Sequence, residues 1–119
     1  MHKSFSRLFF IYLFILLINP GISAAADATE EGRSIAFDKN KGNCLACHAI
    51  PSDPSAKSPG NIGPPLMGMK VRYPDRAKLR KQIWDATVLN PNTSMPPFGK
   101  NKVLTESEID SVTDYIFSS

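Results

Sequence analysis

Cys44-Leu45-Ala46-Cys47-His48 is the stretch on which the reading of this chain turns. Two cysteines three positions apart, followed at once by a histidine, form the C-x-x-C-H arrangement. In it two thiols add to the two vinyl groups of a haem, and the adjacent imidazole binds the iron. Residues three apart lie one helical turn from each other, which matches the separation of the vinyl carbons, and the next residue then projects its ring toward the metal. Two other readings of the same residues are weaker. A redox dithiol sits at a helix start after a strand, and here Gly42-Asn43 follows a charged helical stretch with no βαβ pattern nearby. A structural zinc site needs four ligands, and once residues 1–26 are removed as the leader read below, the chain offers two cysteines and one histidine, His48.

Upstream of the motif the composition changes. The 119 residues carry 14 Lys+Arg against 11 Asp+Glu with 42% apolar residues, which bounds a single small domain and excludes a multidomain enzyme. Residues 1–26 hold Lys3 and Arg7 but no acid. Leu8–Ile18 is an unbroken apolar run, and Asn19-Pro20-Gly21 then precedes Ser23-Ala24-Ala25-Ala26. This pattern predicts a secretory signal peptide over residues 1–26, cleaved after Ala26, with a periplasmic haem-binding domain over residues 27–119 and no membrane association after cleavage. The apolar run covers roughly half of a hydrocarbon core, which needs about 20 residues, so a spanning helix is the weaker reading.

Loss of Lys3 and Arg7 brings the charge balance close to even, and with it goes the electrostatic support for nucleic-acid binding. What remains is thinly apolar, and domains below about 100 residues often lean on a disulfide, metal or cofactor. One covalent haem supplies that reinforcement.

Counting ligands narrows the sixth position of the iron. His2 leaves with the signal, so His48 is the one histidine of the mature chain, and no third cysteine exists. The candidates are Met67, Met69, Met95, a lysine, or an open site. Met95 lies in Asn90-Pro91-Asn92-Thr93-Ser94-Met95-Pro96-Pro97-Phe98-Gly99, where three prolines stiffen the backbone and deny it helix, so Met95 is the favoured ligand. Met67 and Met69 are much nearer to His48 in sequence and are expected to pack beside the macrocycle.

Around the site the chain reads as all-α, with three main helices and long loops. Residues 28–39 form a first helix ending before Gly42. Residues 49–70, with five prolines and three glycines, form a long irregular loop, unusual in so small a domain and suited to wrapping a cofactor. Residues 75–86 form a second helix with Leu79, Ile83 and Trp84 as its apolar stripe. Thr105-Glu106-Ser107-Glu108 is a capping box that starts the third, whose Ile109, Val112 and Ile116 share one face. The first and last helices are expected to pack together. Asp85, Glu106, Glu108, Asp110 and Asp114 are accounted for by capping and solvation, so no catalytic residue is expected here. The basic stretch Lys70–Lys81 reads as a solvated helix face in preference to a steering patch, and the sequon Asn92-Thr93-Ser94 as part of the metal loop.

Taken together these motifs resemble class I c-type cytochromes, and within them the SoxX family of monohaem subunits of SoxAX sulfur-oxidation complexes. The resemblance rests on Gly42-Asn43-Cys44 through His48, Gly60-Asn61-Ile62-Gly63-Pro64-Pro65-Leu66, Ile83-Trp84-Asp85, Asn90-Pro91 through Gly99, and Leu104-Thr105 through Tyr115, together spanning about residues 30–117. It implies covalent haem c at Cys44 and Cys47, axial His48 and Met95, and a Pro64 carbonyl that accepts the His48 Nδ1 proton. It also implies an electron-accepting role beside a SoxA-type cytochrome subunit, in a complex of the L-cysteine S-thiosulfotransferase type. Such a complex couples thiosulfate oxidatively to a cysteine of a sulfur-carrier protein and passes electrons to a downstream cytochrome. The family's catalytic haem has a cysteine ligand and belongs to the partner; this chain has no cysteine to spare for one. The competing expectation is a stand-alone periplasmic electron shuttle.

Overall fold

The computed structural model describes residues 23–119. Four α-helices and two 3-10 turns make up the regular structure, and the described residues contain no strand: α1 (Ser23–Phe37), a turn at Cys44–Ala46, α2 (Met69–Arg72), α3 (Arg76–Trp84), a turn at Ala86–Val88, and α4 (Glu106–Phe117). The proposed signal segment lies outside the described residues except for Ser23–Ala26, which form the first turn of α1.

Each helix begins and ends for a local reason. The capping box is complete at α4: the Glu108 amide donates to Thr105 Oγ1 at 3.2 Å, and the Thr105 amide to Glu108 Oε2 at 2.9 Å. At α3 the Asp75 carboxylate accepts from the Ala77 amide at 2.9 Å. The second helix is shorter than residues 75–86, because Asp85 adopts extended backbone and turns its carboxylate onto the Thr87 amide, restarting the chain as a 3-10 turn. α1 stops at Phe37 instead of reaching residue 39. The Asp38 carboxylate there takes the Asn40 amide and its carbonyl takes the amides of Lys41 and Asn43, a side-chain-led turn competing with the helix. Residues 49–68 are irregular as expected, and α2 follows them as a single short turn.

The core forms where α1 crosses α4. Ile35 and Ala36 of α1 meet Ile109, Val112, Tyr115 and Ile116 of α4, all buried, each large side chain contributing about 1.5–3 kcal/mol on leaving water. The Phe37 and Tyr115 rings meet edge to face at 6.3 Å. α3 adds Leu79 and Ile83 to the same core, the long loop adds Ile50 and Leu66, and α2 adds Met69. Trp84, expected in the α3 stripe, is half-buried and donates from its indole nitrogen to Glu106 at 3.0 Å. The basic stretch is partly absorbed by the fold. Arg76 pairs with Asp114, and Arg80 with Asp110 and Glu106, stitching α3 to α4.

A second set of ties fixes the long loop to the helix pair. Asp53 accepts from Arg33 Nε of α1 at 2.6 Å, from Tyr115 Oη of α4 at 2.9 Å, and from the amide and hydroxyl of Ser55. The Arg33 guanidinium, with the Ser55 and Tyr115 donors, holds the Asp53 carboxyl well below the usual carboxylate range. Burial, helped by this anion, pushes the Tyr115 phenol up. A depressed carboxyl contributes stability that is complete above its unfolded pKa of about 3.9 and is lost as pH falls through the folded value. Asp53→Asn is therefore expected to lower the melting temperature of the holoprotein by about 4–8 °C at pH 7. The difference from wild type should shrink on acidification below about pH 4. Thermal unfolding followed by circular dichroism at the two pH values measures both effects.

Candidate haem-attachment site

The site is built on a reversal of the chain. After α1, Asn43 adopts a left-handed backbone (φ 47°), a conformation that asparagine tolerates better than most residues. The next residues enter the 3-10 turn Cys44–Ala46. The turn is tied by the Ala46 amide to Asn43 O, the Cys47 amide to Cys44 O at 3.1 Å and the His48 amide to Cys44 O at 2.9 Å. A 3-10 turn has three residues per turn, so side chains three apart eclipse. Cys44 opens the turn and Cys47 caps its end, so both thiols belong to one tight reversal of the chain. Both are free thiols and both are half-buried.

Burial pushes the Cys44 thiol up to about 11. Thiol–disulfide exchange needs the opposite, a thiol lowered toward neutrality by positive surroundings. Burial thus weighs against the redox-dithiol reading at Cys44.

His48 is oriented from outside the motif. Its Nδ1 lies 2.7 Å from the Pro64 carbonyl oxygen. A carbonyl only accepts, so the ring proton sits on Nδ1 and the lone pair of the neutral imidazole is left on Nε2. That is the protonation pattern an imidazole needs to ligate a metal, with a carbonyl fixing its tautomer and rotation. The segment carrying Pro64 is laid directly on the motif. The Gly60 amide donates to Leu45 O, the Gly63 amide to Cys47 O and the Leu66 amide to Ala49 O, each at 2.8 Å. The imidazole lies so close over Gly63 that a Cβ there would stand 2.2 Å from its Cε1. Two free thiols on one turn, an imidazole with one nitrogen engaged and the other free, and a loop moulded around that ring together fit covalent haem attachment.

Met67, Met69 and Met95 occupy different surroundings. Met67 is 55% exposed, whereas Met69 is 2% exposed and its sulfur accepts from Arg72 Nη1 at 3.4 Å. Met95 is half-buried against the core, on a loop whose polar side chains set its backbone. Asn90 Oδ1 accepts the Asn92 amide at 3.1 Å, and Thr93 Oγ1 accepts the Met95 amide at 3.1 Å. These bonds give the sequence Asn-Pro-x-Thr-x-Met a physical meaning: asparagine and threonine fold the loop back on itself and aim the methionine backbone. Sequence reasoning passed over Asn90, Thr93 and Gly63 as site residues. The first two could have been found from their known habit of bonding the amide two residues on.

Comparison with known proteins agrees with this construction. The family model of cytochrome c oxidase, cbb3-type, subunit III matches residues 27–116. An uncharacterized lipoprotein of Aquifex aeolicus (strain VF5) is 36% identical over 76 residues, covering 64% of this chain and 36% of that protein. The chain thus spans about a third of the length of this curated relative. The crystal structure of SoxXA from P. pantotrophus superposes with a TM-score of 0.68 at 29% identity, over 76% of this chain and 80% of that one. The fold is a SoxX-like cytochrome c with a covalently bound haem c, and Cys44-Leu45-Ala46-Cys47-His48 fits a C-x-x-C-H site. The chain belongs to the family of c-type cytochromes described as cytochrome c oxidase, cbb3-type, subunit III.

Proposed function

We propose that this chain is the electron-accepting monohaem subunit of a periplasmic SoxAX-type complex. In that complex thiosulfate is coupled oxidatively to a cysteine of a sulfur-carrier protein. The observation that carries this reading is the His48 imidazole, whose single free nitrogen is fixed in place by the Pro64 carbonyl, in a fold 29% identical to SoxXA. Cys44 and Cys47 would hold the haem through thioether bonds, and His48 and Met95 would ligate its iron. When bound, the haem supplies one-electron Fe(III)/Fe(II) chemistry, with thioether ligation favouring the reduced state. The protein's own part is to fix both ligands. Pro64 holds the imidazole proton and strengthens the ring as a donor, and the Thr93 bond and the flanking prolines restrain Met95. With both cysteines committed to attachment, the sulfur chemistry falls to a SoxA-type partner, and a downstream cytochrome takes the electrons. Residues 1–26 are a signal peptide removed on export.

Purification of the protein from its native source tests this reading. The expected result is a mature N-terminus at Asp27, co-elution with a second cytochrome, and haem reduction by thiosulfate that requires that partner. Elution alone, with no thiosulfate-dependent reduction when the partner is supplied, would leave a free electron shuttle instead.

Met95→Ala is expected to open the sixth position while leaving the fold intact. The reduced variant should bind carbon monoxide at neutral pH, which the wild type resists. Its reduction potential should fall, because the thioether that favours Fe(II) is gone. An unchanged ferric and ferrous spectrum would remove Met95 from the site.

A further inference from the structure

The loop that carries Met95 leaves α3 and returns to it, and its two ends are joined at the base. The amides of Gly99 and Lys100 both donate to the Trp84 carbonyl, at 3.0 and 3.3 Å. Lys100 Nζ pairs with Asp85 Oδ2 at 3.1 Å. Asp85 is 5% exposed, and a buried carboxylate is retained only where partners satisfy it. Here they are the amide and hydroxyl of Thr87 on one oxygen and Lys100 on the other.

The hydrogen bonds inside the ring are all short-range. Asn90 bonds Ala86, Asn92 and Thr93, and Thr93 bonds Met95. They give the loop its internal shape, yet they do not stop it from swinging away as a unit about its ends. That is opposed at the base, by the backbone bonds to the Trp84 carbonyl, by buried Phe98 and by Asp85–Lys100, the polar side-chain tie between the two ends among the described residues.

We propose that Asp85, through its pair with Lys100, is a positioning residue for Met95: the closed pair holds the loop shut so that the thioether stays at the iron. The inference rests on Met95 being the axial ligand. Breaking the pair leaves Met95 itself untouched and raises the fraction of molecules whose loop is open. An added ligand that competes for the sixth position then binds more tightly in proportion to that open fraction.

The test is titration of the ferric holoprotein with imidazole, read from its visible spectrum. Asp85→Asn keeps acceptors for Thr87 and loses the charge, while Lys100→Met keeps the aliphatic stem and loses the ammonium. Each is expected to tighten imidazole binding by about tenfold, the effect of losing a charge-assisted bond on a two-state opening. The double variant should gain no more than either alone, as befits two halves of one contact. Lys100→Arg, which restores the pair, should return to wild-type affinity. Lys78→Ala, which removes one exposed positive charge elsewhere, should not change it. Wild-type affinity in Lys100→Met, or full additivity in the double variant, overturns the proposal. Lys100 is a surface side chain, so its variants carry the test even where Asp85→Asn fails to mature. Met95→Ala separates this failure from that of the ligand assignment. It should bind imidazole tightly whatever residue stands at 85, and if its affinity equals wild type, the assignment of Met95 is what fails.

Discussion

Gly63→Ala is expected to abolish accumulation of a normally ligated holocytochrome. A Cβ at this position would stand 2.2 Å from His48 Cε1, 2.6 Å from Nδ1 and 2.7 Å from Nε2, well inside any van der Waals contact and spread over the ring. Something must yield, and each way of yielding damages the same feature. If the ring swings out, it loses its 2.7 Å bond to the Pro64 carbonyl. If the loop lifts, it breaks the Gly63–Cys47 and Gly60–Leu45 backbone bonds and carries the Pro64 carbonyl away as well. Loss of an orienting partner of this kind typically weakens a metal ligand 10–100-fold. The measurement is covalent haem yield together with the ferrous visible spectrum of whatever matures. Little protein should mature, and that fraction should lack the spectrum of two strong axial ligands. Pro64→Ala is the informative companion. It removes the ring but keeps the carbonyl, so it should retain axial histidine ligation at a cost of about 1 kcal/mol or less in stability. A Gly63→Ala protein with wild-type yield and spectrum would show that the imidazole does not depend on this contact.

How far this site could be read beforehand depended on how local its physics is. Cys44, Cys47 and His48 are neighbours in sequence, so their joint chemistry is legible from spacing alone. The capping box at Thr105 and the Ile109–Val112–Ile116 stripe of α4 are legible for the same reason. The Pro64 carbonyl was reached through family resemblance, because no rule of spacing links a histidine to a carbonyl far along a proline-rich loop. The split of the second helix at Asp85 was hidden, since Trp84-Asp85-Ala86 contains neither glycine nor proline and the break comes from a carboxylate choosing the Thr87 amide. Arg76 and Arg80 were visible as charge but not as ties to Asp114, Asp110 and Glu106, which stand on another helix. Met67 and Met69 read alike in sequence, yet one is exposed and the other is in the core. Only the turn into α2 decides between them.

The same limit gives the second large effect, at a glycine that helix propensity alone counts as a mild defect. Gly32 lies inside α1, where glycine costs roughly 0.5–1 kcal/mol relative to alanine, so propensity alone makes Gly32→Ala stabilising. The crossing with α4 reverses the sign. A Cβ on Gly32 would stand 1.9 Å from the Ser111 carbonyl oxygen, 2.5 Å from its carbon and 3.0 Å from Tyr115 Cβ. The obstacle is helix backbone, which cannot rotate aside as a side chain can. The two helices must move apart by more than an ångström. That loosens the packing of Ile35 and Ala36 on Ile109, Val112 and Ile116 and stretches the 2.6 Å bond from Ser111 Oγ to Glu31. Overpacking of a close core costs about 1–3 kcal/mol and occasionally more, and a backbone obstacle belongs at the upper end, several times the propensity gain. For a domain of this size the expected loss is about 10 °C or more in melting temperature, with Gly32→Val worse than Gly32→Ala. Ser34→Ala, an exposed site on the same helix, should be neutral or slightly stabilising. Thermal unfolding of the three holoproteins by circular dichroism decides between the two effects. A Gly32→Ala protein as stable as wild type would mean that helix propensity, and not the close crossing of α1 and α4, sets the stability of this interface.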